Sequence, residues 1–436
     1  MLLWSALRVG ELLPVSRVKS IPFRTAFNLL CWEGAFAMAY ETWTGPMYIS
    51  GLGGELGVGV AWVAFLMTLP WVGQIGQLAG LFAFERISSV KRYTLWVAAM
   101  ARALWILPLF CAGFWGWKTM QQGQPFPKNA WFAVLGLTAC FSALFASSSA
   151  VAWNSWMRGL IPANFRGRFF GIRHTHLMGA LILANLSASI WVGWKPQGFF
   201  VGYAVICSLA LLAGALSSFL LAGVPDVRIR KHVKQSSPRP LIEIFIEPFR
   251  SAEFRKVVLF GAAFNGVIQF AGPYFPYYFT KELHISMSTV ALWAVISNSG
   301  CLLTAGLWGR RMDRIGSPFS TLWLACHLVV LSPLPYVFRS ADVIRWIAPF
   351  EYFINGISWA GFFLSMTALV FRTAPDGKNA SYFSVYAAVV GLACAIGTLL
   401  GGRVAEWLTA YGGFRALWIV GSVLRLGVLW GLCPRR

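Results

Sequence analysis

Long apolar runs decide what this chain can become. Twelve stretches, at roughly 25–49, 57–83, 94–117, 130–156, 170–193, 198–224, 256–280, 287–308, 319–338, 345–371, 381–402 and 413–433, carry few charges, and the charged residues crowd into the gaps between them. About 20 apolar residues in helical form span the hydrocarbon core of a bilayer. In lipid the backbone must satisfy its own hydrogen bonds, which makes helices the spanning element for runs of this length. A soluble helical protein would need amphipathic helices with one solvated face, whereas most of these runs are apolar all round. Composition agrees, since 58% of the 436 residues are hydrophobic and 12% are charged. The expected fold class is an all-α polytopic membrane protein with 12 transmembrane helices.

The formal net charge is +21. On a soluble chain that would suggest nucleic acid. Here the basic residues sit between apolar runs, where the positive-inside rule and anionic headgroups account for them. No basic-aromatic module is present, so no nucleic-acid partner is expected. Twenty-six of the 36 Lys and Arg fall in the alternate segments that include both termini, and eight fall in the other set. That bias places both termini in the cytoplasm and requires an even number of spans. The eight cysteines lie almost all inside apolar runs without Cys-x-x-Cys spacing, so they read as buried free thiols. Residues 1–24 read as a cytoplasmic N-terminal arm at the interface. The long polar segment 225–255 reads as a cytoplasmic linker followed by an interfacial helix over Leu241–Arg255. It divides the spans six and six, into 25–224 and 256–436.

The two halves repeat. Gly45-Pro46-Met47-Tyr48 ends the first span, and Gly272-Pro273-Tyr274-Phe275 holds the same place in the seventh. Glu85-Arg86-Ile87 follows the second span and Asp313-Arg314-Ile315 the eighth. Pro162 with Arg166-Gly167-Arg168 leads into the fifth span, as Pro375 with Asn379-Ala380-Ser381 leads into the eleventh. Three pairs in order point to two pseudo-symmetric six-helix bundles.

The stretch Trp308–Gly316, WGRRMDRIG, places Gly309, Asp313, Arg314 and Gly316 between two apolar runs. It resembles the cytoplasmic loop signature of the major facilitator superfamily of transporters, Gly-x-x-x-Asp-Arg-x-Gly. The first-half copy departs from it: Gly80 is one place out of register, Glu85 replaces Asp, and no second Gly follows. The resemblance implies alternating access, with two six-helix bundles rocking about a central site. It implies a path lined by spans one, four, seven and ten. It also implies a cytoplasmic latch between Asp313 and the start of the fifth span at Arg166, Arg168 or Arg173. Glu85, beside Arg86, would face the eleventh span at Lys378.

Candidate residues for chemistry are ionisable groups inside spans, because a charge at the bilayer centre costs roughly 2.5–3.5 kcal/mol on insertion scales. Glu33 and Glu41 share the first span, about 12 Å of rise and roughly 80° apart. Desolvation disfavours the charged form of a carboxyl, which suits a proton carrier. Either could couple to protons or meet a cationic substrate group, with Glu33 favoured on depth; against that, Glu41 could lie solvated near the outer mouth, and Glu33 could simply neutralise Arg102 in the third span, a structural pairing that suits Arg102 better than substrate contact. Arg425 in the last span has the same ambiguity, with lipid-facing snorkelling as its plain reading. His174 and His176 read first as helix-end features. Asn265 and Gln269 share a face of the seventh span; Ser147 lies in the fourth, and Asn355 and Trp359 in the tenth. Such groups build transporter sites near the midplane, although serines and asparagines also glue helices together.

No nucleotide motif, nucleophile triad or metal-ligand spacing appears, so no cofactor, no metal and no enzyme activity are expected. A gradient must then drive any uphill movement. The expected function is a secondary active transporter for a small organic solute, proton-coupled, with uptake and efflux both open. A channel would need a continuous polar stripe, and a membrane-embedded enzyme convergent acidic or His residues at one depth. The expected setting is a bacterial inner membrane, with a monomer surrounded by lipid.

Overall fold

The computed structural model describes residues 21–86, 89–123, 125–161, 166–193, 200–226, 241–315, 317–337, 340–375 and 378–434. The N-terminal arm over 1–20, the linker over 227–240 and Gly316 lie outside the described residues.

Helix α1 runs over Ile21–Trp43 and resumes as Pro46–Glu55. Its two acids make it less apolar than the helices that follow. Eleven more, among the described residues, are long and apolar enough to cross a membrane: α2 (Val60–Ala83), α3 (Val90–Thr119), α4 (Lys128–Met157), α5 (Phe169–Val192), α6 (Gly202–Ala222), α7 (Ala252–Lys281), α8 (Met287–Ile315), α9 (Pro318–Val337), α10 (Ala341–Thr373), α11 (Ser381–Tyr411) and α12 (Phe414–Leu432). Odd-numbered helices run from the end of the molecule where Ile21 lies, called here the near end, to the far end.

The repeated Gly-Pro pair has a local consequence. Proline lacks an N–H and its ring clashes with the carbonyl four residues back, which weakens a helix there, and next to glycine both helices break. In α1 the break falls at Thr44-Gly45, with Thr44 Oγ1 donating to Tyr40 O at 2.8 Å. In α7 the same pair forms a tight 3₁₀ turn over Gly272–Tyr274. Two near-end helix starts are capped: Ser89 Oγ accepts from Arg92 N, and Ser251 Oγ from Phe254 N. These caps satisfy one otherwise unpaired donor each.

The helix neighbours repeat as the sequence does. Helix α1 lies on α5 and α6, as α7 lies on α11 and α12. Helix α4 lies on α2 and α3, as α10 lies on α8 and α9. Between the halves, α2 meets α11 and α5 meets α8, a pair that the two-fold repeat exchanges. The chain is therefore two related six-helix bundles.

The apolar core is not divided evenly. At the far end one buried cluster crosses both halves, from Tyr48, Leu52 and Val63 to Tyr274, Tyr277, Met287 and Trp418. At the near end it splits in two. One cluster, around Trp156, Phe169 and Leu221, belongs to the first half; the other, around Phe254, Leu322, Met366 and Leu429, belongs to the second. The broken ends of α1 and α7 seal the far end. Ser50 Oγ donates to Pro273 O at 2.6 Å, Tyr277 OH to Val58 O at 2.8 Å, and Thr280 Oγ1 to Gly51 O at 3.4 Å. Gly54 lets these helices touch, since a Cβ there would strike Thr280 Oγ1.

The segment before α7 forms a short helix, Leu241–Ile246, then a 3₁₀ turn, Glu247–Arg250, whose Pro248 is buried. It lies against α11 and the near end of α2, and Glu247 pairs with Lys378 at the start of α11.

Candidate functional site

Two groups of buried charge sit inside the bundle, one in each half. In the first, Glu33 is 4% exposed and held from three helices. Arg173 of α5 approaches its Oε2 at 3.1 Å, Arg102 of α3 its Oε1 at 3.6 Å, and Ser217 of α6 donates to Oε1 at 3.2 Å. The arginines are themselves fixed. Arg173 Nε donates to Leu30 O at 3.3 Å and its guanidinium stacks 4.5 Å from the Trp153 ring. Arg102 Nη1 donates to Ser218 Oγ at 2.6 Å. Glu33 is thus matched twice over by opposite charge, the arrangement a buried ion needs to persist. Glu41 differs. It is exposed, it makes no hydrogen bond or ion pair among the described residues, and it lies in the field of Arg102, Arg173 and Glu33.

Of the second group, sequence reasoning singles out Arg425 and Asn355 but passes over Glu351. Glu351 of α10 is 9% exposed. Its Oε2 accepts from Tyr336 OH and its Oε1 from Asn355 Nδ2 at 3.3 Å. Arg425 of α12 is 2% exposed, so the lipid-facing reading of this residue is wrong. The face of α12 that carries it turns onto α7 and α9, where Arg425 donates to Ile268 O at 3.4 Å and Val329 O at 3.1 Å.

A cavity of about 310 Å³ lies between the halves beside this second group. The second half lines it with Gln269, Ser332, Tyr336, Glu351, Tyr352, Asn355, Trp359 and Arg425; the first half supplies Met47, Met67 and Trp71. Its polar groups therefore come almost wholly from the second half, which also supplies apolar lining at Ile268, Phe275 and Val329. A larger space of about 400 Å³ is lined by Trp43, Tyr48, Trp105, Phe126 and Tyr203. It lies wholly within the first half, where relative movement of the halves would not open or close it.

The other sequence candidates separate by geometry. Gln269, Asn355 and Trp359 line the central cavity. Asn265 turns back on its own helix, donating to Gly261 O at 2.7 Å. Ser147 is buried between α4 and α2, donating to Gln74 Oε1 at 3.2 Å. His176 bonds to Ile172 O, one turn back on its own helix. Gly309 lies on α8 beside Leu364, and Asp313 and Arg314 are exposed at the near end. Glu85 and Arg86 end the helix Gly76–Arg86, and Arg166 and Arg168 begin the helix Arg166–Gly193. The side chains of those four lie outside the described residues. Two residues that sequence reasoning passed over matter most: Arg173 as the second partner of Glu33, and Glu351. The signal for Glu351 was present, an acid one helical turn before Asn355 in an apolar run.

Twelve broken and continuous helices in two repeated bundles, with a polar cavity at their junction, define a membrane transporter rather than an enzyme. The chain belongs to the Major Facilitator Superfamily, whose family model matches residues 31–398 and 271–435. Solved structures with the same fold include a point mutant of the nucleoside transporter NupG, with a TM-score of 0.71, 13% identity, and coverage of 93% of this chain and 98% of that one. A D-xylose-proton symporter has a TM-score of 0.68, 16% identity, and coverage of 94% and 98%. A POT family transporter in complex with a thioalcohol-conjugated peptide has a TM-score of 0.65, 14% identity, and coverage of 93% and 95%. A search of curated proteins finds none that matches. The three structures are named for three different cargoes, so the shared fold leaves this chain's cargo to its own cavity. Fold and family together make it a secondary transporter.

Proposed function

We propose that this protein moves a small organic solute across the membrane by alternating access, using a proton gradient. One observation carries the reading. The cavity lies at the junction of the halves, at the level where the continuous far-end core gives way to two separate near-end cores. A solute there is shut off from the far side and becomes available to the near side as the halves part. The volume is at the lower edge of the range for small-molecule sites, and Trp71 and Trp359 are among the residues that line it. The charge bias of the loops supports a cytoplasmic near end.

Coupling requires a carboxyl free to change its charge. Glu33 does not qualify, because two guanidinium groups are committed to it. Glu41 and Glu351 do. The proton symport named for the D-xylose relative supports the same coupling here.

The test is solute flux into proteoliposomes containing the full chain, under an imposed pH gradient, with Glu41→Gln and Glu351→Gln variants. Saturable, gradient-driven accumulation is expected, and Gln269→Ala or Trp359→Ala should weaken it several-fold. Non-saturating flux indifferent to the gradient would indicate a channel and sink the proposal.

A further inference from the structure

Arg425 is short of partners. A guanidinium carries five N–H donors. Here Nη1 and Nη2 each reach one backbone carbonyl, and Nε, fully buried, has none. Among the described residues no carboxylate oxygen comes within the 4.0 Å of an ion pair, although the field of Glu351 reaches it. A buried charge left so incompletely bonded costs several kcal/mol unless something else completes it. Arg425 lines the central cavity, so the missing partner has a place to sit. A planar fork of donors matches a carboxylate, which can accept two of them at once.

Glu351 is built differently from Glu33. Its two hydrogen bonds come from the neutral Tyr336 hydroxyl and Asn355 amide. Each of those groups can also accept, by turning its hydroxyl or its amide. The same shell therefore serves either a carboxylate or a protonated carboxyl. The titratable and charged groups facing Glu351 are Tyr336 from α9, Tyr352 on its own helix, and Arg425 from α12; α7 presents the uncharged Gln269, and α8 packs Trp293 on Tyr352. One cation is available to it.

We propose that the transported solute carries a carboxylate that docks on Arg425, and that Glu351 takes up a proton as it docks. This rests on the reading of the central cavity as the solute site. The electrostatics require the second half of the statement. With the cavity empty, one anion and one cation balance. A solute carboxylate would place two anions beside a single buried guanidinium, and like charges in one low-dielectric site cannot both persist. The proton comes from solvent, no bond other than O–H forms, and it leaves again when the solute departs. Solute anion and proton travel together, and the transport step carries no net charge.

The experiment uses the full chain in proteoliposomes and solutes matched in shape but not in charge: benzoate, nicotinate and lactate, their amides, and the corresponding amines. Saturable flux is expected for carboxylates only, reduced at least ~10-fold in Arg425→Gln. A pH dye should register about one proton taken up per carboxylate bound. Glu351→Gln should still bind carboxylate, now with no proton uptake, and it controls for folding of the site. Saturable flux of amides or amines in place of carboxylates would overturn the proposal and leave the transport reading standing. Proton uptake that persists in Glu351→Gln would overturn it likewise. Saturable flux of no class would defeat the transport reading, and this one with it.

Discussion

At the scale of residues, the two buried acids divide the work. Glu33 binds α1 to α3, α5 and α6 through two arginines and a serine. Its removal would leave two guanidinium groups buried without a counter-charge, which costs about 3–5 kcal/mol. Glu33→Gln is expected to lower thermal stability strongly, and the double variant Glu33→Gln/Arg102→Gln to recover part of it. A Glu33→Gln protein that melts like wild type but loses proton coupling would reverse this assignment. The Glu33–Arg102 pair was legible in sequence as two opposite charges at similar depth. The part played by Arg173 was not: at the start of the fifth span it reads as a latch partner for Asp313, and only the fold turns it onto Glu33.

At the scale of elements, the breaks in α1 and α7 matter more than their lengths. Each Gly-Pro pair ends a helix on its own, and the repeat brings the two broken ends together at the far end. The seal consists of few hydrogen bonds to backbone carbonyls and close approaches at Gly51, to Met287, and at Gly54, to Thr280. A branched side chain there must push Thr280 and the Tyr277 carbonyl aside, a clash of about 1–3 kcal/mol. Gly54→Val should therefore shift the population toward a far-open state. Spin-label distances across the far ends of α1 and α7 would lengthen; unchanged distances would mean the contact is no seal.

At the scale of the whole molecule, two bundles meet along α2–α11 and α5–α8, and their near-end cores are separate. Asp313 stands exposed there on α8, without an ion pair among the described residues. In the alternative state the near ends must close, and the positive start of α5 is the natural partner for an acid, since helix N-termini favour negative charge. Asp313→Asn is expected to enrich the near-open population and slow turnover, read by single-molecule distance measurements across the near end. If neither population nor turnover changes, the loop serves topology alone.

The sequence by itself determined the class of fold. Twelve apolar runs, a charge bias in their gaps and the repeated Gly-Pro pairs are local properties, and lipid forces each run into a helix whatever its neighbours do. It also named three cavity residues, Gln269, Asn355 and Trp359, but the same reasoning named Asn265 and Ser147, which bond to their own helix and to Gln74. Only the tertiary structure decided which charges meet. An apolar run with one charge looks the same whether that charge faces lipid, a neighbouring helix or a cavity; helix rotation settles it, and rotation is set by packing. That is why Arg425, left open in the sequence between an ion pair, a substrate contact and the lipid face, is found in the core, and why Glu351, not Glu33, is the carboxyl lining the central cavity.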